Sequence, residues 1–179
     1  MKRTIKNLAV IFMMVIAFCL VAMQASAADA SALTFTACEG GVMVSGCNTS
    51  AEGALTIPAE YNGQPVVGLE GFNIHPALIN VTIPDTIKYI SADTFGPLVQ
   101  YNEYGGGLYL GNEQNPYVAL IKAKSNDITS CKIHPRTSCI ADGAFDRCGS
   151  LTSITFGGEE IPSYNYAYIN SLSILFNKK

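Results

Sequence analysis

The chain has 179 residues, of which 49% are hydrophobic and 14% are charged, and this length and composition are compatible with one domain. Eleven basic and fourteen acidic residues give a formal net charge of −3, which argues against nucleic acid and anionic membrane surfaces as partners. The two histidines lie far apart in the sequence and no CxxC pair occurs, so we expect no structural zinc site.

Residues 1–27 are predicted to be a secretory signal peptide. Lys2, Arg3 and Lys6 precede an apolar stretch at 8–23, and small residues follow up to Ala27. This order is typical of signal peptides, and the apolar stretch is shorter than the ~20 residues of a spanning helix. The leader holds three of the basic and none of the acidic residues, so cleavage between Ala27 and Ala28 leaves a more acidic chain. The mature protein is predicted to be secreted or held at the cell surface, without membrane insertion.

Residues 28–53 are predicted to form an N-terminal β-hairpin or cap. Apolar residues alternate with small or polar ones at 33–37 and again at 42–44, and the glycine-bearing segment 39–41 can turn the chain between them. A turn centred on Gly40 would place Cys38 and Cys47 at opposite ends of the ladder, too far apart for a disulfide.

Residues 54–160 contain an internal repeat. The segment 133–145 overlays the segment 83–95 without a gap, and the lead-in at 128–133 overlays 78–83. A third copy of the lead-in, LTSITF, begins at Leu151. Self-similarity with a period in the twenties is typical of a solenoid, although short apolar-alternating runs can also match by chance.

The repeat predicts which side chains face the core. Inward positions of the best-defined coil are apolar, whereas the positions between them, including Asn80 and Lys88, are polar. Pro84 directly follows an inward isoleucine and would end the strand. Phe95 and Phe145 are expected to fill the interior from short helical turns. The fold prediction is therefore mainly β, a parallel β-solenoid with short helical corners, in which Leu78, Val81, Ile83, Ile87 and Ile90 point inward.

Two segments depart from the simple repeat. Residues 101–123 contain two apolar runs, 108–111 and 117–121, on either side of a polar turn, and are predicted to be a modified coil that carries a hairpin. A plain loop is the alternative. Residues 161–179 are predicted to be a C-terminal cap or a truncated repeat, since the end repeats of solenoids are often atypical.

Five cysteines follow the leader, and an odd number in an exported protein leaves at least one thiol unpaired or intermolecular. The repeat places Cys131 and Cys148 at core-facing positions, where cysteine behaves as a small hydrophobe. Buried thiols and a Cys38–Cys47 disulfide are both left open. The five are Cys38, Cys47, Cys131, Cys139 and Cys148.

Several motifs resemble a known family. They are LTSIT at 151–155, IP-x-x-I-x-x-I at 83–90, ADGAF-x-x-C at 141–148, and the LYLG, NPY and LIKA pieces within 108–123. Together, over about residues 33–156, the chain resembles the BspA-like leucine-rich repeats of bacterial surface proteins. The resemblance implies a leucine-rich-repeat type of solenoid, secretion, and a role in adhesion or protein–protein contact without catalysis.

No catalytic, cofactor or metal site is predicted. His75 and His134 are both interpreted as corner residues, and no G-x-S-x-G motif occurs. Glu159 and Glu160 are interpreted as solvated acids in a loop, because adjacent charged residues usually lie on the surface.

The predicted binding surface is a row of outward residues, one from each coil, which we call the threonine–lysine ladder. Stacked strands lie about 4.8 Å apart, so the row would form a wide, shallow face. The alternative is that threonine is present only because it suits an exposed strand. The ladder consists of Thr56, Thr82, Lys132 and Thr155.

A second possible binding surface is a group of tyrosines on the modified coil, because tyrosine combines contact area with a polar group. Packing in the core is the alternative for most of them. The group consists of Tyr101, Tyr104, Tyr109 and Tyr117.

The sequence thus predicts a non-catalytic interaction module that binds an extracellular protein of a host or a neighbouring cell. A different class, motivated by the tyrosines, is a carbohydrate-binding accessory module of an extracellular cell-wall or glycan-active enzyme. A truncated module with no function of its own is a third possibility.

Overall fold

A computed structural model describes residues 27–28, 30–47, 53–70, 78–92, 94–156 and 159–161. The predicted signal peptide up to residue 26, His75, and the predicted C-terminal cap from residue 162 onwards lie outside this part of the chain. Across the part described, we find no helix with the length and apolar character needed to cross a membrane.

Strands are the main regular structure of the described residues, and helix is almost absent from them. A short 3-10 helix spans Ala30–Ala32. The strands are β1 (Ala27–Ala28), β2 (Leu33–Cys38), β3 (Gly41–Cys47), β4 (Gly53–Thr56), β5 (Glu60–Tyr61), β6 (Gln64–Leu69), β7 (Leu78–Thr82), β8 (Tyr89–Ile90), β9 (Asn102–Tyr104), β10 (Gly107–Leu110), β11 (Ala119–Ala123), β12 (Ser130–Ile133), β13 (Cys139–Ile140), β14 (Ser153–Phe156) and β15 (Glu159–Ile161).

The N-terminal hairpin is confirmed. Strands β2 and β3 pair antiparallel around Gly40, whose φ of +81° is the left-handed conformation that glycine adopts most easily. Cys38 faces Gly41 at one end of the ladder and Cys47 faces Leu33 at the other, and neither cysteine is part of a disulfide. The disulfide between these two cysteines does not form.

Parallel stacking of short strands produces a β-solenoid of about four turns, which confirms the predicted fold. One wall, the first wall, contains the parallel sets β1–β4–β7 and β12–β14. The second wall contains β3–β6–β8 and β11–β13, also parallel. Each complete coil therefore supplies one strand to each wall, and the apolar side chains meet between the walls.

The core follows the predicted inward positions. Leu78, Ile83, Ile87 and Ile90 are at most 1% exposed, and Val81 is 7% exposed. In the second copy, Cys131, Ile133 and Ile140 are buried in the same way.

Thr137 replaces Ile87 in the second copy and is itself buried. Its hydroxyl donates to the carbonyl oxygen of Tyr117 at 2.9 Å. A buried hydroxyl that found no such partner would be costly, so this bond makes a polar residue acceptable at an interior position.

The prediction that Phe95 and Phe145 fill the interior of the coils from short helical turns was wrong. Phe95 and Phe145 are only half-buried against the core, while the preceding residues, Thr94 and Ala144, are 2% and 3% exposed. The corner at 141–148 is a series of turns, with hydrogen bonds such as Cys148 N to Phe145 O at 3.1 Å, and not a helix. A corner closed by such tight turns leaves interior space for small side chains, and the larger rings lie at its rim.

The modified coil carries the predicted hairpin, formed by antiparallel β10 and β11. It also carries a second hairpin that was not predicted, formed by β9 and β10. Gly105 and Gly106 make its two-residue turn with φ of +57° and +89°, the positive values that favour glycine in such turns. Strand β11 continues the second wall through its parallel pairing with β13.

The solenoid continues past its last parallel strand with β15, which pairs antiparallel with β14. Glu159 and Glu160 therefore belong to a strand, and the prediction of a loop was wrong. Strand β15 bonds to the backbone groups at the edge of β14, where the strand of a further parallel coil would otherwise bind.

Candidate binding surfaces

The threonine–lysine ladder forms as two pairs. The parallel register aligns Thr56 with Thr82 and Lys132 with Thr155. Thr56 and Lys132 are exposed, and the other two residues are half-buried. The pairing within each sheet is as predicted, but the four residues do not form one uninterrupted row.

The modified coil separates the two pairs. Its backbone bonds to the edge of β7, where Gln100 N donates to Ile79 O at 2.7 Å and Ile83 N donates to Gly111 O at 3.0 Å. On the far side, Lys132 N donates to Gly105 O at 2.7 Å. The hairpin segment is thus inserted between Thr82 and Lys132 along the first wall.

The four tyrosines do not share one surface. Tyr109 is fully buried, its hydroxyl accepts a bond from His134 N at 3.4 Å, and burial raises its pKa. A fully buried side chain cannot touch a partner, so the prediction of a binding role for Tyr109 was wrong. The alternative of core packing holds for this residue.

Tyr104 and Tyr117 form an aromatic cluster with His134. The Tyr117 and His134 rings stack at 4.1 Å between centroids, and the Tyr104 ring meets His134 edge-on at 4.7 Å. Nδ1 of His134 accepts a bond from Arg136 N at 3.1 Å, and burial, together with the Arg136 charge, lowers the pKa of His134. The imidazole therefore fixes a corner of the solenoid, in agreement with its interpretation as a corner residue.

Tyr101 is separate from that cluster. It packs against the larger core cluster, and the ammonium group of Lys122 lies 4.8 Å from the centre of its ring. Burial raises the pKa of Tyr101 to about 12, so its hydroxyl keeps its proton at neutral pH.

A cleft of about 400 Å³ lies between β7 and the hairpin turn. It joins Thr82 from the ladder and Tyr101 from the tyrosine group, which the sequence placed in different candidate surfaces. Most of its remaining lining is polar. The other polar residues in the lining are Asn80, Gln100, Asn102, Asn112 and Glu113.

Side-chain amides hold the hairpin turn in place beside the cleft. Asn112 Nδ2 donates to Ile83 O at 3.2 Å, and Asn115 Nδ2 donates to Asp85 Oδ1 at 2.9 Å and to Arg136 O at 3.1 Å. The turn is thereby tied to both the coil before it and the coil after it. The sequence did not reveal the cleft because its walls come from segments about twenty to thirty residues apart. The sequence feature that could have indicated it is the high content of asparagine and glutamine in the turn.

A second cleft, of about 370 Å³, lies on the side of Tyr101 that faces the 141–148 corner. Its lining mixes charges of both signs, with Lys122 and Arg147 beside Asp142 and Asp146. These acids and bases can neutralise one another, and the cleft shows no preference for one charge.

The five cysteines in the described part of the chain are thiols, and Cys131 is buried as predicted, whereas Cys148 is only half-buried, so its prediction as a core-facing residue was wrong. Burial raises the pKa of Cys131 to about 11 and that of Cys139 to about 12, so both are protonated at neutral pH. Among the described residues, no three histidine, cysteine or acidic side chains lie close enough to hold a metal ion.

Comparison with known proteins gives no assignment. No family model, curated protein or solved structure matches the chain.

Proposed function

We propose that this chain is an exported, non-catalytic interaction module of the BspA-like leucine-rich-repeat type, and that it binds an extracellular protein through the threonine–lysine ladder. The observation that carries the proposal is the register of the first wall, which places Thr56 beside Thr82 and Lys132 beside Thr155. The partner would be a protein of a host or of a neighbouring cell.

The chemistry of the ladder suits a protein partner. Threonine presents both a methyl group and a hydroxyl, so the Thr56–Thr82 pair gives a flat surface that can pack and hydrogen-bond. Lys132 is the charged member of the ladder and would pair with an acidic group of the partner. Charge pairing at an accessible position contributes mainly to the association rate and to specificity.

Two substitutions test the surface without touching the core. Thr56→Glu and Lys132→Glu change exposed positions in separate sheets, so we expect the double variant to fold. The matched control is Lys88→Glu with Ser150→Glu, which makes the same change in charge at exposed positions outside the ladder.

The experiment uses the chain secreted from its full-length precursor, and N-terminal sequencing first checks that it begins at Ala28. The secreted protein is cross-linked to surface proteins of intact cells, the partner is purified, and its affinity is measured by surface plasmon resonance. We expect the ladder variant to bind at least about tenfold more weakly, equivalent to about 1.4 kcal/mol, and the control to bind normally. Equal affinities for the folded wild type and the folded ladder variant would reject the ladder as the binding surface.

A further inference from the structure

The cleft between β7 and the hairpin contains unused hydrogen-bonding groups. The side chains of Asn80 and Gln100 are exposed, line the cleft, and make no hydrogen bond to other described residues. Each primary amide offers two donors and one acceptor, and Thr82 adds a hydroxyl that can do either. A ligand rich in hydroxyl groups, which also donate and accept, matches this set.

The charge of the lining restricts the ligand. Among the described residues that line the cleft, Glu113 is the only charged one. Its carboxylate can accept hydrogen bonds from hydroxyl groups, but it repels phosphate, sulfate and carboxylate groups. The lining therefore favours a neutral ligand over an anionic one.

The cleft also offers apolar surface. Tyr101 and Pro116 line it beside the amides. Ligand sites in general combine apolar surface with a few placed polar groups, and a sugar ring has an apolar C–H face as well as a polar rim. A volume of about 400 Å³ is within the roughly 300–1,000 Å³ range of small-molecule sites.

Side-chain hydrogen bonds hold the walls of the cleft in place. Asn102 Nδ2 donates to Pro116 O at 3.0 Å and so links the two sides of the hairpin. Asn112 Nδ2 bonds to Ile83 O, directly after β7. Rigid walls reduce the entropy lost on binding, which matters most for a small, weakly bound ligand.

We propose that this cleft is a binding site for a neutral saccharide of one or two rings. Asn80, Gln100 and Glu113 bind its hydroxyl groups, and Tyr101 with Pro116 packs against its C–H surface. The site goes beyond the proposed protein-binding function. It shares Thr82 with the ladder, but Thr56 and Lys132 do not line it.

The test is titration of the ¹⁵N-labelled full-length secreted protein with maltose, cellobiose, lactose and N,N′-diacetylchitobiose, followed by NMR. We expect at least one of them to shift the side-chain amide signals of Asn80 and Gln100, with a Kd in the millimolar range. At about 10 mM such a ligand occupies most of the sites. No shift of these signals by any of the four saccharides at that concentration would overturn the proposal.

Variants then separate the site from the fold and from the ladder. Asn80→Ala with Gln100→Ala should weaken saccharide binding at least about tenfold, because two amides would be lost. The control is Gln114→Ala, which removes an exposed amide from the hairpin turn beside the cleft but outside its lining, and it should bind normally.

The Thr56→Glu, Lys132→Glu protein should bind the saccharide normally whether or not it has lost its protein partner. Unchanged saccharide binding in the folded Asn80→Ala, Gln100→Ala variant would overturn the proposal. A response to inorganic phosphate together with none to the saccharides would also overturn it.

Discussion

The buried side chain of Asn115 holds the modified coil to its neighbours. It is 5% exposed, and its amide nitrogen donates to Asp85 Oδ1 at 2.9 Å and to Arg136 O at 3.1 Å. Its amide oxygen accepts a bond from Tyr117 N at 3.2 Å. One residue thus joins the coil before the hairpin, the hairpin itself and the coil after it.

Replacing Asn115 by alanine should destabilise the protein by about 3.5 kcal/mol. The bonds to Arg136 O and from Tyr117 N each contribute about 1 kcal/mol net, and a bond to a charged group contributes about 1.5–3 kcal/mol. The low end applies to the Asp85 bond, because Asp85 is exposed and water can replace the lost donor. Replacing the neighbouring, exposed Gln114 by alanine should change the unfolding free energy by no more than about 0.5 kcal/mol.

Urea unfolding at neutral pH, followed by circular dichroism, measures both variants. Asn115→Asp sharpens the test, because it removes the donor and places a second carboxylate beside Asp85. This variant should be less stable than the alanine variant at pH 7, and the difference should shrink on acidification as the introduced carboxyl group becomes protonated. A loss below about 1 kcal/mol for Asn115→Ala, equal to that for Gln114→Ala, would show that the three bonds do not hold the coil in place.

Two further predictions concern the glycine turn and the buried thiols. In Gly105→Ala the added Cβ would lie 2.1 Å from Lys132 O, so the hairpin must shift and the unfolding free energy in urea should fall by at least about 2 kcal/mol. In Gly106→Ala the nearest atom to the added Cβ would lie at 3.0 Å, and the unfolding free energy should fall by less. Equal losses in the two variants would contradict the close approach of Gly105 to Lys132. Folding raises the pKa of Cys131 and Cys139 from 9.0 to about 11 and 12, so above pH 9 the unfolded chain releases protons that the folded chain retains. The unfolding free energy, measured with a reductant present, should therefore be level below pH 8 and fall by roughly 1–2 kcal/mol between pH 9 and 10. A rise of the unfolding free energy over that interval would refute the assignment of both thiols to the core.

The solenoid could be predicted because its coils repeat. The offset between Ile83 and Ile133 identifies the inward positions of two coils at once, and both isoleucines are buried. Alternation of period two then places Thr56 and Thr82 outward, and the parallel register pairs them. Such features depend on local sequence and on contacts between equivalent positions, which a repeat reveals directly.

The corners and the cleft could not be predicted in the same way. Whether Phe145 or Ala144 fills a corner depends on the local turns, which the period of the repeat does not specify. The sequence pattern does not distinguish Tyr109 from Tyr101. Only the packing of the hairpin on the core makes Tyr109 an interior residue. The cleft requires knowledge of how two segments distant in sequence meet.

The insertion of the modified coil changes what the first wall can bind. Strands β7 and β12 would be neighbours in an uninterrupted stack, but backbone bonds from Gln100 and Gly111 occupy the edge of β7 instead. Thr82 then lies on the border between a flat pair with Thr56 and a concave, amide-lined cleft. A partner that covers this pair therefore meets the rim of the cleft, whereas one that covers Lys132 and Thr155 does not. Because the two pairs lie in different surroundings, single substitutions at Thr56 and at Thr155 can distinguish which half of the ladder a partner uses.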